Sequence, residues 1–425
     1  MEKIELQQPE PQPKSAPVIS AEALTEIHMP AVASERMRRL PPYLFGKINA
    51  LKSALRRQGV DVIDLGMGNP NDPTPQLVVD KLREAAQDKR NQRYSVSVGI
   101  YNLRREVSVF YEKHWGVSLD PEKEVICTLG SKEGFSHLCL ATLGPGDVAL
   151  TPTPAFPIHI YGPVLAGANV LGVSMNQGEE VLLRNIAHMC ENLFPSPKIL
   201  IINYPHNPTT RTVELGFFEE IVKMAKQYGF YVIHDFAYGL TTFDGYKAPS
   251  FLQVKGAKDV GVETSTMSKG YNMAGWRMGF CVGNRDMVDV LGKIKGYYDY
   301  GIFQAIQIAT IMALRHCEED MLRQQKVYEA RRDVLCESLE RAGWTAPKPK
   351  ATMFAWVQIP EPYRSMGSIE FAVQCLQKAE VAIAPGRGFG EDGEGYVRIA
   401  LVENENRLRQ AVRQIRKAFP VEGAS

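Results

Sequence analysis

The residues of this chain that could do chemistry lie in a few short polar stretches. One of them, residues 265–280 (STMSKGYNMAGWRMGF), places Lys269 and Arg277 in an otherwise apolar segment. Burial and a neighbouring cation both disfavour the charged form of a lysine, and the neutral amine is a nucleophile that can form a Schiff base. An isolated lysine of this kind would more often reach the surface on a buried stem. Lys269 alone therefore does not indicate a reactive amine, and the other polar stretches must be considered together with it.

A site for an anion is indicated by two of these stretches. Ser131 and Lys132 lie at the start of a predicted helix over residues 132–143, and the N–H groups and dipole at a helix start attract anions. Alone, this Gly-Ser-Lys stretch would be only a helix N-cap. Further side chains that could complete a phosphate cup are Thr266, Ser268 and Arg277. A phosphate bound bidentately by the guanidinium would neutralise one cation and leave Lys269 free as an amine.

Partners for an aromatic ring follow other predicted strands. Asp235 ends an apolar strand, where its carboxylate needs a cationic partner such as a protonated pyridine nitrogen. Tyr238 and Asn207 could hydrogen-bond to an oxygen on the ring, and Phe156 could stack on its face. Each residue also has an ordinary role open to it, in a helix cap, a turn or the core. Together, the amine, the acid, the phosphate cup and the aromatic plate describe a pyridoxal-phosphate (PLP) site.

The elements that must position these groups follow from the hydrophobic pattern. Short apolar runs alternate with amphipathic helices such as 214–228 and 286–295, which predicts an α/β fold with a mostly parallel sheet covered by helices. The predicted strands are 124–129, 148–151, 198–203, 230–234, 261–266 and 278–282. Nearly all of the candidate groups follow one of these strands. Open α/β sheets bind ligands at the carboxyl ends of their strands, so we expect one shared site.

Composition changes divide the chain into four predicted regions. They are a mobile N-terminal tail (1–33), a segment joining the small domain (34–75), a large PLP-binding domain (76–305) and a small C-terminal domain (306–425). The tail is rich in Pro, Gln and Glu and has little periodicity. A long helical stretch over 306–342, strand-like pieces at 352–357, 381–384 and 396–400, and a final helix from Asn404 predict a smaller α+β domain.

Charge and cysteine content exclude several function classes. Lys and Arg total 49 against 48 Asp and Glu, so a net charge of +1 provides no field for nucleic acid or an anionic membrane. No apolar run is long enough to span a bilayer. The seven cysteines are scattered without a CxxC pair, which indicates neither a zinc site nor disulfides, and no metal is expected. The N-terminus lacks the basic and apolar regions of a signal peptide, so a cytoplasmic location is expected.

The stretch STMSKGYNMAGWRMGF closely resembles the cofactor-lysine signature of the class I/II aminotransferases, which are fold-type I PLP enzymes. NPT at 207–209, HDFAY at 234–238 and YVRIAL at 396–401 occur in the order and spacing of that family. The resemblance covers about residues 36–420. The stretches RLPPYLF, MGNPND, GSKEG, FPIHIYG and ALVEN are similar to bacterial alanine (glutamate–pyruvate) aminotransferases.

The resemblance implies a role for each candidate residue. Lys269 would carry PLP, Asp235 would pair with its pyridine nitrogen, and Tyr238 and Asn207 would bond its phenolic oxygen. The phosphate would be bound by Ser131, Lys132, Thr266, Ser268 and Arg277. Phe156, which stands where tyrosine is more frequent in the family, would stack on the ring.

The same resemblance implies how substrate and subunits meet. Arg398 would bind the substrate carboxylate, Gly68 would let the backbone approach the substrate, and Asn207 would also contact it. The family is homodimeric, and Tyr94 would reach the phosphate in the neighbouring subunit. The substrates would be amino acids and 2-oxo acids.

The function implied is transamination, most closely between alanine or glutamate and pyruvate or 2-oxoglutarate. Lys269 would act as the general base, with Asp235 and Tyr238 as its catalytic partners. A β-lyase, cyclase or oxidase on the same fold remains open, as do aspartate, diaminopimelate, methionine and aromatic substrates. A regulatory PLP-binding module would need a DNA-binding extension, and residues 1–33 are too short and too acidic to be one.

Overall fold

The computed structural model of the protein describes residue 25 and residues 29–421. Most of the predicted tail, 1–33, therefore lies outside the described residues. The strands are β1 (Ile63–Asp64), β2 (Val125–Thr128), β3 (Val148–Thr153), β4 (Asn169–Ser174), β5 (Ile199–Asn203), β6 (Tyr231–Asp235), β7 (Gly261–Thr266), β8 (Gly279–Gly283), β9 (Phe354–Gln358), β10 (Val381–Ala382), β11 (Ala384–Pro385) and β12 (Tyr396–Ala400).

The helices alternate with these strands in the first two thirds of the chain. They are α1 (Glu35–Arg38), α2 (Leu44–Arg57), α3 (Gln76–Gln87), α4 (Tyr101–Trp115), α5 (Ser131–Thr142), α6 (Pro157–Leu165), α7 (Glu179–Asn192), α8 (Leu215–Tyr228), α9 (Ala257–Val260), α10 (Arg285–Tyr298), α11 (Gln304–His316), α12 (Glu318–Arg341), α13 (Glu361–Arg364), α14 (Ser368–Lys378) and α15 (Glu405–Ala418). Within the described part of the chain, no helix is long and apolar enough to cross a membrane.

Seven strands form the central sheet in the order β2-β8-β7-β6-β5-β3-β4. The strands from β7 to β4 are parallel to their neighbours, whereas β8 runs antiparallel to both β2 and β7. The prediction of a mostly parallel sheet is confirmed. The edge strand β4 was missed, because an edge strand is only partly buried and lacks a continuous apolar run.

The central sheet is buried on both faces. Strand β5 (ILIIN) is buried along its whole length, and its alternate residues point to opposite faces. Leu200 and Ile202 pack in one core cluster with residues of α4 and α8, whereas Ile201 packs in another with residues of α5 and α10. This two-sided cover explains why the strands read as short apolar runs in the sequence.

A smaller antiparallel sheet, in the order β11-β12-β9, lies in the C-terminal part of the chain. Strand β1 pairs in parallel with β10, and Ile48 and Leu51 of α2 pack against Val373 and Leu376 of α14. The N-terminal segment thus contacts C-terminal elements. The helix expected over 306–342 is two helices, α11 and α12, which meet at the non-helical Cys317 (φ −109°, ψ 27°).

Candidate active site

Lys269 lies just beyond the end of β7, where its side chain is partly buried. Its Nζ donates a hydrogen bond to the carbonyl oxygen of Gly68 at 2.8 Å. Burial lowers the pKa of Lys269 to about 8, aided by the positive charges of Arg398 and Arg277 and opposed by Asp235. Burial and Arg277 were expected from the sequence as causes, and Arg398 is a further one. An appreciable fraction of this lysine is therefore a neutral amine near neutral pH.

Gly68 brings the backbone of the N-terminal segment close to this amine. A Cβ atom at this position would lie 2.5 Å from Cζ of Phe354, so a larger residue would collide with that ring. The absence of a side chain lets the carbonyl oxygen of Gly68 meet Lys269 across 201 residues of sequence. Glycine is the residue type that allows such a close backbone approach.

Asp235 is the last residue of β6, and its carboxylate is held from several sides. Its Oδ2 lies 2.9 Å from Nε2 of His159, and its Oδ1 accepts a hydrogen bond from the backbone N–H of Ala237 at 3.2 Å. The Asn203 amide donates to the backbone carbonyl of Asp235 at 2.6 Å. His159 is 1% exposed and was not found from the sequence. Its position three residues after Phe156 at the start of α6 was the available signal.

The start of α5 forms a cradle with the loop that follows β7. Gly130 has φ +82°, and a Cβ atom there would lie 2.3 Å from Nη2 of Arg277. Arg277 itself adopts φ +55° and donates to the carbonyl oxygens of Leu129 and Ala274 at 3.2 and 2.8 Å. The hydroxyl groups of Thr266 and Ser268 are 2.8 Å apart. Donors from two distant segments therefore converge as an anion site requires.

Two further side chains complete the surroundings of this cradle. Lys132 has its Nζ 5.8 Å from the centre of the Phe156 ring, and burial, with the charge of Arg277, lowers its pKa. Glu133, a residue of the GSKEG motif to which no role was given, accepts a hydrogen bond from the backbone N–H of Leu129 at 2.7 Å. Its other oxygen lies 3.1 Å from the fully buried ammonium of Lys295. This pair holds the loop that enters α5.

Arg398 in β12 is buried, with only 4% of its surface exposed. Nη1 donates to Oδ1 of Asn207 at 2.7 Å, and Nη2 donates to the carbonyl of Gly66 at 3.1 Å. Among the described residues, no hydrogen-bond partner is found for its Nε. The guanidinium carbon lies 4.0 Å from the centre of the Phe354 ring. Burial lowers the pKa of Arg398 to about 10. A buried guanidinium with uncharged partners favours a carboxylate ligand.

Tyr238 and Tyr94 lie in different environments. Tyr238 is buried, and burial raises its pKa. A hydrogen bond with the Asn207 side chain opposes this shift by lowering the pKa. Tyr94 is 86% exposed, and its ring centre lies 5.0 Å from that of Tyr300. Tyr94 therefore lies at the surface, and its expected role at the phosphate of a neighbouring subunit stays a prediction.

Residues 60–415 match the family model described as aminotransferase class I and II. The chain belongs to this family. It is 49% identical to the glutamate-pyruvate aminotransferase AlaC of Escherichia coli (strain K12), over 91% of this chain and 94% of that protein. It is 42% identical to an LL-diaminopimelate aminotransferase of Moorella thermoacetica, over 91% of this chain and 98% of that protein.

Solved structures of other proteins share the fold. Substrate-bound BacF from Bacillus subtilis aligns with a TM-score of 0.84 at 32% identity, over 91% of this chain and 97% of that chain. A single mutant of Thermus thermophilus aspartate aminotransferase aligns with a TM-score of 0.83 at 26% identity, over 91% of this chain and 99% of that chain. The predicted fold type I is confirmed, and this aminotransferase is a PLP-dependent enzyme acting on amino acids and 2-oxo acids.

The side chains present fit PLP. A desolvated amine, a buried carboxylate and a cradle that a Cβ atom at Gly130 would fill are three features that the cofactor needs. They come from β6, β7 and the start of α5, which the sheet brings to one edge.

Proposed function

We propose that this aminotransferase moves an amino group between alanine or glutamate and pyruvate or 2-oxoglutarate. The observation that carries this proposal is the buried Arg398 guanidinium, whose hydrogen bonds go to an amide and a carbonyl while the amine of Lys269 lies nearby. This guanidinium suits the α-carboxylate that every amino-acid substrate shares. The choice of substrates is supported by the 49% identity to a glutamate-pyruvate aminotransferase.

PLP supplies an electron sink for the electron pair left when the substrate loses its α-proton. We propose that Lys269 holds the cofactor covalently and that its freed Nζ accepts this proton as a general base. Asp235 would pair with the proton on the pyridine nitrogen. His159, which bonds the Oδ2 atom of Asp235, keeps the carboxylate in place.

The remaining cofactor contacts are proposed from the same arrangement. Tyr238 and Asn207 would bond the phenolic oxygen, and Phe156 would cover one face of the ring. Lys132 lies beside that ring and the cradle. The phosphate would be bound by Ser131, Lys132, Thr266, Ser268 and Arg277. Phosphate is doubly charged near neutral pH, so several donors and two cations suit it.

Substrate orientation follows from the contacts of Arg398. Its fork would bind the α-carboxylate bidentately, and the Asn207 amide bonded to Nη1 would contact the same carboxylate. The Gly68 carbonyl, which accepts from Nζ of Lys269 at 2.8 Å, would lie beside the α-carbon. With the carboxylate and the cofactor held at two ends, the α-proton would be presented to Nζ of Lys269.

A homodimer is proposed as the active form. Exposed tyrosines lie at the end of α10 and in the loop after it (Tyr297, Tyr298 and Tyr300), and Tyr94, which precedes α4, contacts Tyr300. Exposed aromatic patches are typical of protein interfaces. In such a dimer Tyr94 would complete the phosphate site of the neighbouring subunit, which accounts for its exposure in its own chain.

Domain division and location are also proposals. Residues 34–75 would join the small domain formed by 306–425, supported by the pairing of β1 with β10, and 76–305 would form the large domain. A cytoplasmic location is supported by seven free, buried cysteines, which suit a reducing compartment.

A half-reaction assay tests the proposed function. Purified enzyme would be mixed separately with alanine, glutamate, aspartate, LL-diaminopimelate, methionine and phenylalanine, and conversion of the cofactor to its amine form followed by absorbance. We expect alanine and glutamate to convert it fastest and pyruvate and 2-oxoglutarate to reverse the change. Preference for LL-diaminopimelate would contradict the substrate assignment. Ammonia or peroxide release without a 2-oxo acid would indicate a lyase or an oxidase.

A further inference from the structure

A groove lies next to the candidate active site and carries an arginine with no role in the contacts above. Its volume is about 560 Å³, and its walls include Tyr43, Phe45, Tyr161 and the charged residues Lys132, Arg387 and Glu391. Phe45 lies 6.0 Å from the guanidinium carbon of Arg398, and Lys132 lies 5.8 Å from the Phe156 ring. The groove therefore begins where the substrate's side chain would leave the α-carboxylate site.

The backbone of Arg387 is held firmly at this groove. The residue lies in a short 3-10 turn, Gly386–Phe389, and its N–H donates to Oγ of Ser368 at 3.1 Å. At the end of the same turn the carbonyl of Phe389 accepts from the N–H of Ala155 at 2.8 Å, next to Phe156. The turn is thus tied both to α14 and to the strand end that carries the ring-stacking residue.

The side chain of Arg387, by contrast, has only a weak partner. Its Nη2 lies 2.9 Å from Oε1 of Glu391, with 43% of the arginine side chain and 86% of the glutamate side chain exposed. Exposed ion pairs of this kind contribute little to stability, so the guanidinium can exchange one carboxylate for another at small cost. Among the described lining residues the two cations outnumber the single anion.

We propose that Arg387 binds the distal carboxylate of dicarboxylic substrates, an inference that rests on the proposed function. The α-carboxylate lies on Arg398, the apolar stem of the five-carbon acid runs past Phe45, and the second carboxylate displaces Glu391 from Arg387. With alanine or pyruvate, which lack a second carboxylate, Arg387 stays paired with Glu391. One pocket thereby accepts substrates with a second carboxylate, such as glutamate, and substrates without one, such as alanine. Neither kind of substrate leaves an unpaired charge.

Two non-reactive acids of equal chain length test this subsite. Glutarate has two carboxylates and pentanoate has one, and the dissociation constant of each is measured by titrating the PLP-loaded enzyme. In Arg387→Gln we expect glutarate to bind about tenfold more weakly and pentanoate to bind as in the wild type. In Glu391→Gln, where the competing carboxylate is removed, glutarate should bind more tightly. In each variant the KM for glutamate should change in the same direction as the dissociation constant of glutarate. The kcat should stay within about twofold of the wild-type value.

The matched control is Arg364→Gln. Arg364 is 40% exposed and pairs with Glu361 at 2.7 Å, so it resembles Arg387 in exposure and pairing but does not line the groove. It should change neither acid's affinity. Equal glutarate affinity in Arg387→Gln and wild type, or equal weakening of both acids, would overturn the proposal. Failure of the proposed function is separate: the wild-type enzyme itself would then not turn over alanine and glutamate.

Discussion

Nε2 of His159 lies 2.9 Å from Oδ2 of Asp235, and both side chains are buried. The two residues come from α6 and β6, 76 positions apart. A hydrogen bond to a buried ring fixes the direction of the carboxylate. His159 is thus a positioning residue for the acid that we assign to the pyridine nitrogen.

Asp235→Asn should retain cofactor but lower kcat by about 10²–10³-fold, because a neutral amide cannot stabilise a protonated pyridine nitrogen. His159→Phe should cause a smaller loss, about tenfold, because the carboxylate remains. Single-turnover rates and cofactor content of both variants provide the measurement. If Asp235→Asn kept a kcat like that of the wild type, the role assigned to Asp235 at the pyridine nitrogen would be contradicted.

Lys269→Ala should abolish both turnover and the absorbance of lysine-bound cofactor, while the fold survives. No other described lysine shares the position of Lys269 beside Gly68 and Arg398. Borohydride reduction followed by peptide mass analysis identifies the modified lysine in the wild type. Lys132→Ala is the control, since it lies by the Phe156 ring and should keep the covalent link. A reducible link in Lys269→Ala would contradict the assignment.

The reaction of cofactor-free enzyme with PLP should depend on pH. The pKa of Lys269 is lowered to about 8, chiefly by burial and then by the charge of Arg398. Only the neutral amine attacks, so the rate should rise with pH and reach half of its plateau near pH 8. Arg398→Gln removes a positive charge, which raises the pKa and moves this midpoint to higher pH. A stopped-flow pH series measures it, and a shift to lower pH would contradict the electrostatic argument.

Arg398→Lys should raise KM for both amino donor and 2-oxo acceptor by about tenfold or more, with the resting cofactor spectrum unchanged. An ammonium cannot replace the bidentate fork of a guanidinium. Steady-state kinetics with both substrates provides the measurement. Arg407→Lys is the control, because Arg407 also forms a two-pronged pair, with Asp61 at 2.8 Å, but at the surface. KM values within about twofold, less than ~0.5 kcal/mol, would exclude the carboxylate role.

The aromatic cluster should control assembly and cofactor retention. Tyr297→Glu would place a charge in the proposed interface, and we expect a shift from dimer to monomer in analytical ultracentrifugation. Tyr94→Phe should keep the dimer and weaken cofactor binding, because only a hydroxyl donor is lost. Tyr231→Phe, at another exposed tyrosine, is the control. A monomeric wild-type protein with full activity would contradict the proposed dimer.

The sequence by itself determined the parts of the structure that depend on local pattern. Apolar runs located β5, β6 and β7 to within a residue or two, because strands buried on both faces must be continuously apolar. The polar residues that follow them identified Asp235 and Lys269, since parallel strands end at one edge of the sheet. The signature around Lys269 identified the family.

Only the tertiary structure decided which distant residues touch. The strand order, the antiparallel β8 and the split of the long helix at Cys317 depend on pairings between remote segments. The contacts of Arg398 with Asn207 and of His159 with Asp235 span 191 and 76 residues. Local periodicity predicts which face of a helix or strand is buried, but it does not predict which distant residues that face packs against. Burial of Arg398, and hence its need for a carboxylate, follows from its contacts with Asn207, Gly66 and Phe354 in other segments and could not be found within its own strand.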